Sequence, residues 1–156
     1  MYPLAMANIH EYPIQVEWEG GRDGKGKWTA EHSGASLPIA VPPEFQGPGG
    51  ATNPEELLTS AIASCYTITF GIIAANRKLP VSSLSVEAVG QVEQNGPSFK
   101  YIGITIKPVI TLASDAGDDQ VKMAEDMAHK ADAYCIVTNA VRGNIHIEVQ
   151  PTINRG

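Results

Sequence analysis

Apolar and polar residues alternate strictly over Ile14-Gln15-Val16-Glu17-Trp18-Glu19, which predicts a half-buried strand with Ile14, Val16 and Trp18 on its inner side. Gly20 to Gly24 turn the chain, and Lys27 to Ala30 form a return strand. Leu37, Ile39 and Val41 alternate through a third strand, whose Pro38 assigns it to a sheet edge because proline cannot donate to a ladder. The loop Gly47-Pro48-Gly49-Gly50 precedes the clearest helix start in the chain: Asn53 as N-cap, Pro54 in the first helical position and Glu56 completing a capping box. Glu55 and Glu56 both sit at the positive end of the helix dipole. Leu58, Ile62, Cys65, Thr69 and Ile73 then recur at steps of three and four, with Tyr66 and Phe70 beside them, and the helix stops before Pro80. That spacing puts Cys65 on the buried stripe.

Leu84, Val86 and Ala88 alternate up to a phase slip at Gly90, read as a bulge; Asn95-Gly96 is a hairpin turn, and Ile102, Ile104 and Ile106 alternate on the way back. A second helix opens at Asp118 or Asp119, with Ala124, Ala128, Ala131 and Cys135 on one face. A face of alanines admits a neighbouring helix at the short end of the usual interaxial range. Gly143 caps the turn after Cys135, and Ile145 to Val149 is a last alternating strand. The order βββ-α-ββ-α-β, with antiparallel runs broken by two long helices, defines an α+β fold. The first helix is apolar over most of its circumference and should be covered on several sides, so that the two thiols meet in the interior.

With 156 residues, 43% hydrophobic and 18% charged, the chain reads as a single globular domain over 1–156, with an extension over 1–12 and a core at roughly 14–150. The net charge of −6 comes without any basic patch, which argues against a nucleic-acid partner. No run of about 18 apolar residues is uninterrupted, so no membrane span is expected. The start Met1-Tyr2-Pro3-Leu4-Ala5-Met6 lacks the cationic and apolar regions of an export leader, so the expected location is cytoplasmic. Two cysteines are too few for a disulfide-stapled scaffold, and in a reducing compartment they are free thiols, a catalytic thiol or a redox couple.

The run Gly21-Arg22-Asp23-Gly24-Lys25-Gly26-Lys27 has the spacing of a phosphate-binding loop up to its lysine. Trp28 stands where Ser or Thr should hold magnesium, and a strand follows where a helix should begin, so the glycines are read as a hairpin turn. His10, His32, His129 and His146 show no paired metal-ligand spacing; a zinc site would rest only on His129 six positions before Cys135. Each cysteine alone is accounted for as a small buried hydrophobe. Together they have company suited to redox chemistry: Glu55 heads the helix of Cys65, a short helix after Cys135 would aim amides at its sulfur, and Arg22 is free on a turn. A thiolate at neutral pH needs such a positive neighbour. Lys25 and Arg142 are the other candidate cations.

Asn53-Pro54-Glu55-Glu56-Leu57-Leu58 with Ala63-Ser64-Cys65, and the stretch from Cys135 through Thr138, Asn139, Arg142 and Gly143 to Ile145, resemble the two signature segments of the OsmC/Ohr family of organic hydroperoxide reductases. The turn Gly20-Gly21-Arg22-Asp23-Gly24 resembles the one that carries that family's arginine. Two departures stand out: Ile136 where the family usually has proline, and a loop Pro42-Pro43-Glu44-Phe45 without the arginine of the OsmC branch. The resemblance implies an intertwined homodimer with central helices wrapped by sheets from both chains and an active site at the interface. It implies Cys65 as the peroxidatic thiol, Cys135 as the resolving thiol, Arg22 as the cation at the thiolate and Glu55 as the acid that orients it. The expected activity is reduction of an organic hydroperoxide to the alcohol through a Cys65 sulfenic acid and a Cys65–Cys135 disulfide. No metal, haem or flavin is expected, and a lipoyl-type dithiol is the implied external reductant. Along the helix stripe Ile62, Tyr66, Thr69 and Phe70, with Leu58, would meet the alkyl group of the substrate. The alternatives are a non-catalytic member of the same fold that binds an apolar ligand or senses oxidants through a thiol, and a zinc-binding structural dimer.

Overall fold

The computed structural model describes residues 7–156; the first six residues of the expected N-terminal extension lie outside the described residues. The chain divides into two compact units, 1–54 and 55–156. In the first, β1 (Ile14–Glu19), β2 (Lys25–Ala30) and β3 (Ser36–Ile39) form an antiparallel sheet in that order. Ile14 opposes Ala30, Val16 opposes Trp28, and Trp28 opposes Leu37. Directly opposed residues share a face, so one side carries Ile14, Val16, Trp18, Trp28, Leu37 and Ile39. The other side pairs Glu17 with Lys27 and Glu19 with Lys25. Pro38 does lie on an edge strand. The half-buried expectation for β1 is corrected, because every one of its six residues is exposed. Gly26 lies under the Trp18 ring, where a Cβ would come within 2.5 Å of Cε3.

The second unit is built on α1 (Pro54–Asn76), which begins at the proline the sequence indicated and carries both acids in its first turn. Its fully buried line is Ile62, Tyr66, Phe70 and Ala74, one position round from the predicted stripe, which leaves Cys65 half-buried at the edge of that line. Ile68 and Ile72 are exposed, so the expectation of cover on several sides is not met within this chain. An 18-residue window of α1 has a mean hydropathy of 1.7, long and apolar enough by composition to cross a bilayer. As expected, Ser, Thr and Gly interrupt the apolar run, so the stretch reaches that value on its mean alone. In this unit the helix is a core element packed with the sheet.

That sheet pairs β4 (Val81–Asn95) antiparallel with β5 (Ser98–Leu112) through a loop of Gly96 and Pro97. Gly96 takes φ 59°, which the first position of a II′ hairpin requires, so the turn falls one residue beyond the Asn-Gly expected. The bulge lies at Gln91/Val92 and not at Gly90. Gly90 is needed for a different reason: a Cβ there would collide with the Thr59 hydroxyl and the Tyr101 phenol, which bond each other at 2.8 Å. After β5 come α2 (Asp118–Lys130), a 3-10 turn over Ala131–Tyr134, and α3 (Ile136–Val141), with Gly143 at φ 89° closing it. The chain then returns as β6 (His146–Val149) and β7 (Thr152–Arg155), both parallel to β5 and in one register along it. The expectation of purely antiparallel sheets is corrected here. The helical segments supply the crossover that a parallel neighbour needs. The strand also runs past the predicted end at Val149, with only the Gln150-Pro151 step interrupting its ladder.

Ile104, Ile106, Ile110 and Leu112 on one face of β5 join the α1 line and Ala124, Met127, Ala128 and Ala131 in one core. The Tyr66 hydroxyl donates to the Ala128 carbonyl across this core, so the small alanine side chains leave room for the Tyr66 ring between α1 and α2. Burying each large apolar side chain contributes about 1.5–3 kcal/mol.

Candidate active site

Cys135 is the residue at which the 3-10 turn gives way to α3, and it is fully buried. Its thiol donates to the Ala131 carbonyl at 3.2 Å. The sequence reading aimed the first amides of α3 at this sulfur, but the side chain makes no cap hydrogen bond and points back into the preceding turn. Burial pushes its pKa up, the nearby Thr69 hydroxyl, a donor suited to the ionised sulfur, pulls it down, the neighbouring Cys65 thiol raises it again, and the Thr138 hydroxyl pulls it down in the same way as Thr69. The two free thiols, on separate helical segments of the second unit, are therefore side by side.

Three further groups surround the pair. Thr69 stands one turn after Cys65 on α1, and Thr138 stands one turn after Cys135 on α3. Tyr66 has its pKa raised by burial first and by Asp132 and Cys135 next. Asp132 accepts from Arg142 at 3.3 Å, while Arg142 also bonds the Asp132 carbonyl at 3.0 Å and Asn139 at 3.1 Å. Arg142, an alternative cation in the sequence reading, is thus committed to the turn that carries Cys135. Sequence reasoning put Thr69 beside Cys65 as substrate lining and missed it, with Thr138, as a neighbour of Cys135. The fourfold spacing from Cys65 to Thr69 was visible, yet only the meeting of α1 with α3 makes it matter.

Glu55, in the first turn of α1, has a buried Oε2 with no hydrogen-bond partner among the described residues. Arg22 belongs to the first unit, where it is exposed on the turn after β1 and donates to Gln46 at 3.2 Å. Among the described residues it forms no ion pair. The expected substrate lining is corrected: Ile62, Tyr66 and Phe70 are 0% exposed and belong to the core, so they present no open wall beside Cys65.

An α+β domain with a thiol on its long core helix and a second thiol at the turn between two later helices is a recognisable class. The chain belongs to the OsmC-like protein family, whose family model matches residues 47–150. It is 32% identical over 151 residues to the uncharacterized protein YmaD of Bacillus subtilis, covering 97% of this chain and 99% of that one. It is 30% identical over 146 residues to the organic hydroperoxide resistance protein-like 2 of Staphylococcus epidermidis, covering 90% and 95%. The crystal structure of an organic hydroperoxide resistance protein OsmC from Legionella pneumophila superposes with a TM-score of 0.70 at 26% identity, covering 94% of this chain and 99% of that one.

Proposed function

We propose that this chain is a thiol-dependent peroxidase that reduces organic hydroperoxides. The observation that carries this reading is the pair of adjacent free thiols, Cys65 and Cys135, on separate helical segments. The names of the staphylococcal and Legionella relatives support the substrate class. The Cys65 thiolate attacks the distal oxygen of ROOH, the O–O bond breaks, and the alkoxide takes a proton and leaves as alcohol. The resulting sulfenic acid condenses with Cys135 to a disulfide, releasing water. An external dithiol, of lipoyl type, reopens it by exchange.

Arg22 and Glu55 are the proposed cation and its holder. Glu55 and Cys65 are ten residues apart on α1, about 15 Å along its axis at the usual rise per residue. One guanidinium cannot contact both groups of the same chain. The reading therefore takes Glu55 from a second copy, in a homodimer whose interface completes the site, and places the protein in the cytoplasm.

Cumene hydroperoxide added to the reduced protein should remove both free thiols per chain. Cys65→Ser should abolish consumption, while Cys135→Ser should consume about one equivalent and stall as sulfenic acid. Loss of the first oxidation step in Cys135→Ser, with its retention in Cys65→Ser, would reverse the two roles. If neither thiol is lost on adding peroxide, the peroxidase reading is wrong.

A further inference from the structure

Thr138 is 0% exposed, and its Oγ1 is buried without a hydrogen-bond partner among the described residues. Leaving such a hydroxyl unpaired is unfavourable, so its retention in the core calls for an explanation. The Cys135 sulfur is beside it, but in the present state that sulfur is a donor, committed to the Ala131 carbonyl. A thiol that gives its proton to a backbone carbonyl is a poor acceptor for a nearby hydroxyl. Once ionised, it has no proton to give and becomes a strong acceptor. The second hydroxyl in reach, Thr69, comes from a different helix.

We propose that the Thr69 and Thr138 hydroxyls are paired positioning donors for Cys135, set to bond its sulfur when it carries negative charge. The proposal rests on the two-thiol reading above and says how its second thiol is managed. Cys135 must be a thiolate at two moments. In the first, its electron pair attacks the Cys65 sulfenic sulfur, the S–S bond forms, the S–O bond breaks, and the departing hydroxide takes up a proton to become water. In the second, a thiolate of the external dithiol attacks the Cys65 sulfur, the S–S bond breaks, and its electron pair returns to Cys135. At both moments charge sits on a sulfur that burial disfavours. Two donors already in place lower that cost without a full positive charge, since Arg142, the cation tied to the turn that carries Cys135, is held by Asp132. Around Cys135 the ionisable groups are Cys65 and Tyr66 from α1 and Asp132 from the 3-10 turn, and none of them is positive.

The test uses a Cys65→Ala background, in which the ultraviolet absorbance of the thiolate, taken as the difference from a Cys65→Ala/Cys135→Ala variant so that the tyrosinates cancel, reports Cys135 alone. Thr69→Val and Thr138→Val should each move the titration midpoint to higher pH, and the double variant should move it further. A shift of one unit is tenfold less thiolate at a given pH below the midpoint. Thr138→Ser should restore the parent midpoint, and Thr67→Val, whose hydroxyl bonds the Ala63 carbonyl of its own helix, should leave it unmoved. A merely structural hydroxyl predicts a different pattern, in which Thr138→Val changes the urea midpoint and not the titration. Under the proposal the reduced protein with Thr138→Val is at least as stable as its parent near neutral pH, because an unpaired polar group has been removed. A double valine variant that titrates with the parent midpoint would overturn the proposal. If that variant does not fold, Thr69→Ser and Thr138→Ala carry the same comparison: the serine should keep the parent midpoint and the alanine should raise it. The titration needs no peroxide, so a failure of the peroxidase reading would appear in the thiol-loss assay and not here.

Discussion

In β5 the alternating residues Ile104, Ile106, Ile110 and Leu112 are 0–1% exposed, whereas in β1 Ile14, Val16 and Trp18 are 55, 58 and 43% exposed. Both strands lie in sheets with one apolar side, and both obey the period of two. They differ in what their own unit offers to cover that side. The β5 face meets the line Ile62, Tyr66, Phe70 and Ala74 of α1 and the alanines of α2. Among the described residues the first unit has three strands and, besides them, only a 3-10 turn over Pro43–Phe45, with no α-helix to lay across the sheet. It holds its shape by its ladder, by cross-strand pairs such as Glu17 with Lys27, and by the Trp18 ring over Gly26. Alternation therefore says which side of a sheet is apolar, and a second element decides whether that side is buried.

The comparison breaks most visibly in the second unit. Phe70→Ala removes a side chain with no exposure from the centre of the core and should cost about 3–5 kcal/mol. Against a total stability of about 5–15 kcal/mol, urea unfolding should show a midpoint far below that of the parent. A loss under about 1 kcal/mol would mean that the core collapses around the vacancy unusually well. Gly90→Ala comes next, at about 1–3 kcal/mol from overpacking, because its methyl meets the bonded Thr59 and Tyr101 hydroxyls. Combining it with Thr59→Ala should recover part of that loss. Full additivity of the two would show that the contact is not the cause.

The same distinction sets what could be read along the chain. The start of α1 was legible because Asn53, Pro54, Glu55 and Glu56 act locally. Most strands of both sheets were legible from their alternation, but β7 was not expected at all. The parallel pairing of β6 and β7 with β5 was not, because a short strand carries no mark of its neighbour's direction. At the site, Cys65 and Cys135 do approach each other as expected, although Cys135 lies not on the second long helix, which ends at Lys130, but where the 3-10 turn meets α3. The thiol bond from Cys135 back to Ala131 was hidden, as it depends on the 3-10 turn that ends α2. Glu55 could be named as an acid at a helix start. That its Oε2 is buried without a hydrogen-bond partner among the described residues follows from the fold and not from the local sequence.

An intermediate effect is expected from the uncovered sheet, and it sharpens the comparison. In the proposed homodimer the face of Val16 is covered by the second copy, so Val16→Ser should weaken association by about tenfold for each 1.4 kcal/mol lost. Sedimentation across a dilution series would read this, with a melting temperature that becomes more concentration-dependent. If the face is open in solution, the substitution should stay within about 0.5 kcal/mol and leave association unchanged. That outcome would remove the first sheet from the proposed interface.

The smallest effect is one of pH, and it lies at the thiol itself. Because Cys135 has its pKa raised on folding, the folded chain keeps this proton to higher pH than the unfolded chain does. Stability from this group is fully present below the unfolded thiol pKa of about 8.5. It falls as pH rises above that value, because the unfolded state then binds fewer protons than the folded one, and it is lost once pH passes the raised value. Tyr66, also raised by burial, extends the same trend at higher pH. Cys135→Ala removes only the first of these contributions. Urea unfolding measured from about pH 7 to about pH 10 should therefore show a shallower alkaline decline in the variant, whatever its stability at neutral pH. An equally steep decline in both proteins would mean that the buried thiol ionises in the folded chain as readily as in water, and that its hydroxyl donors outweigh its burial.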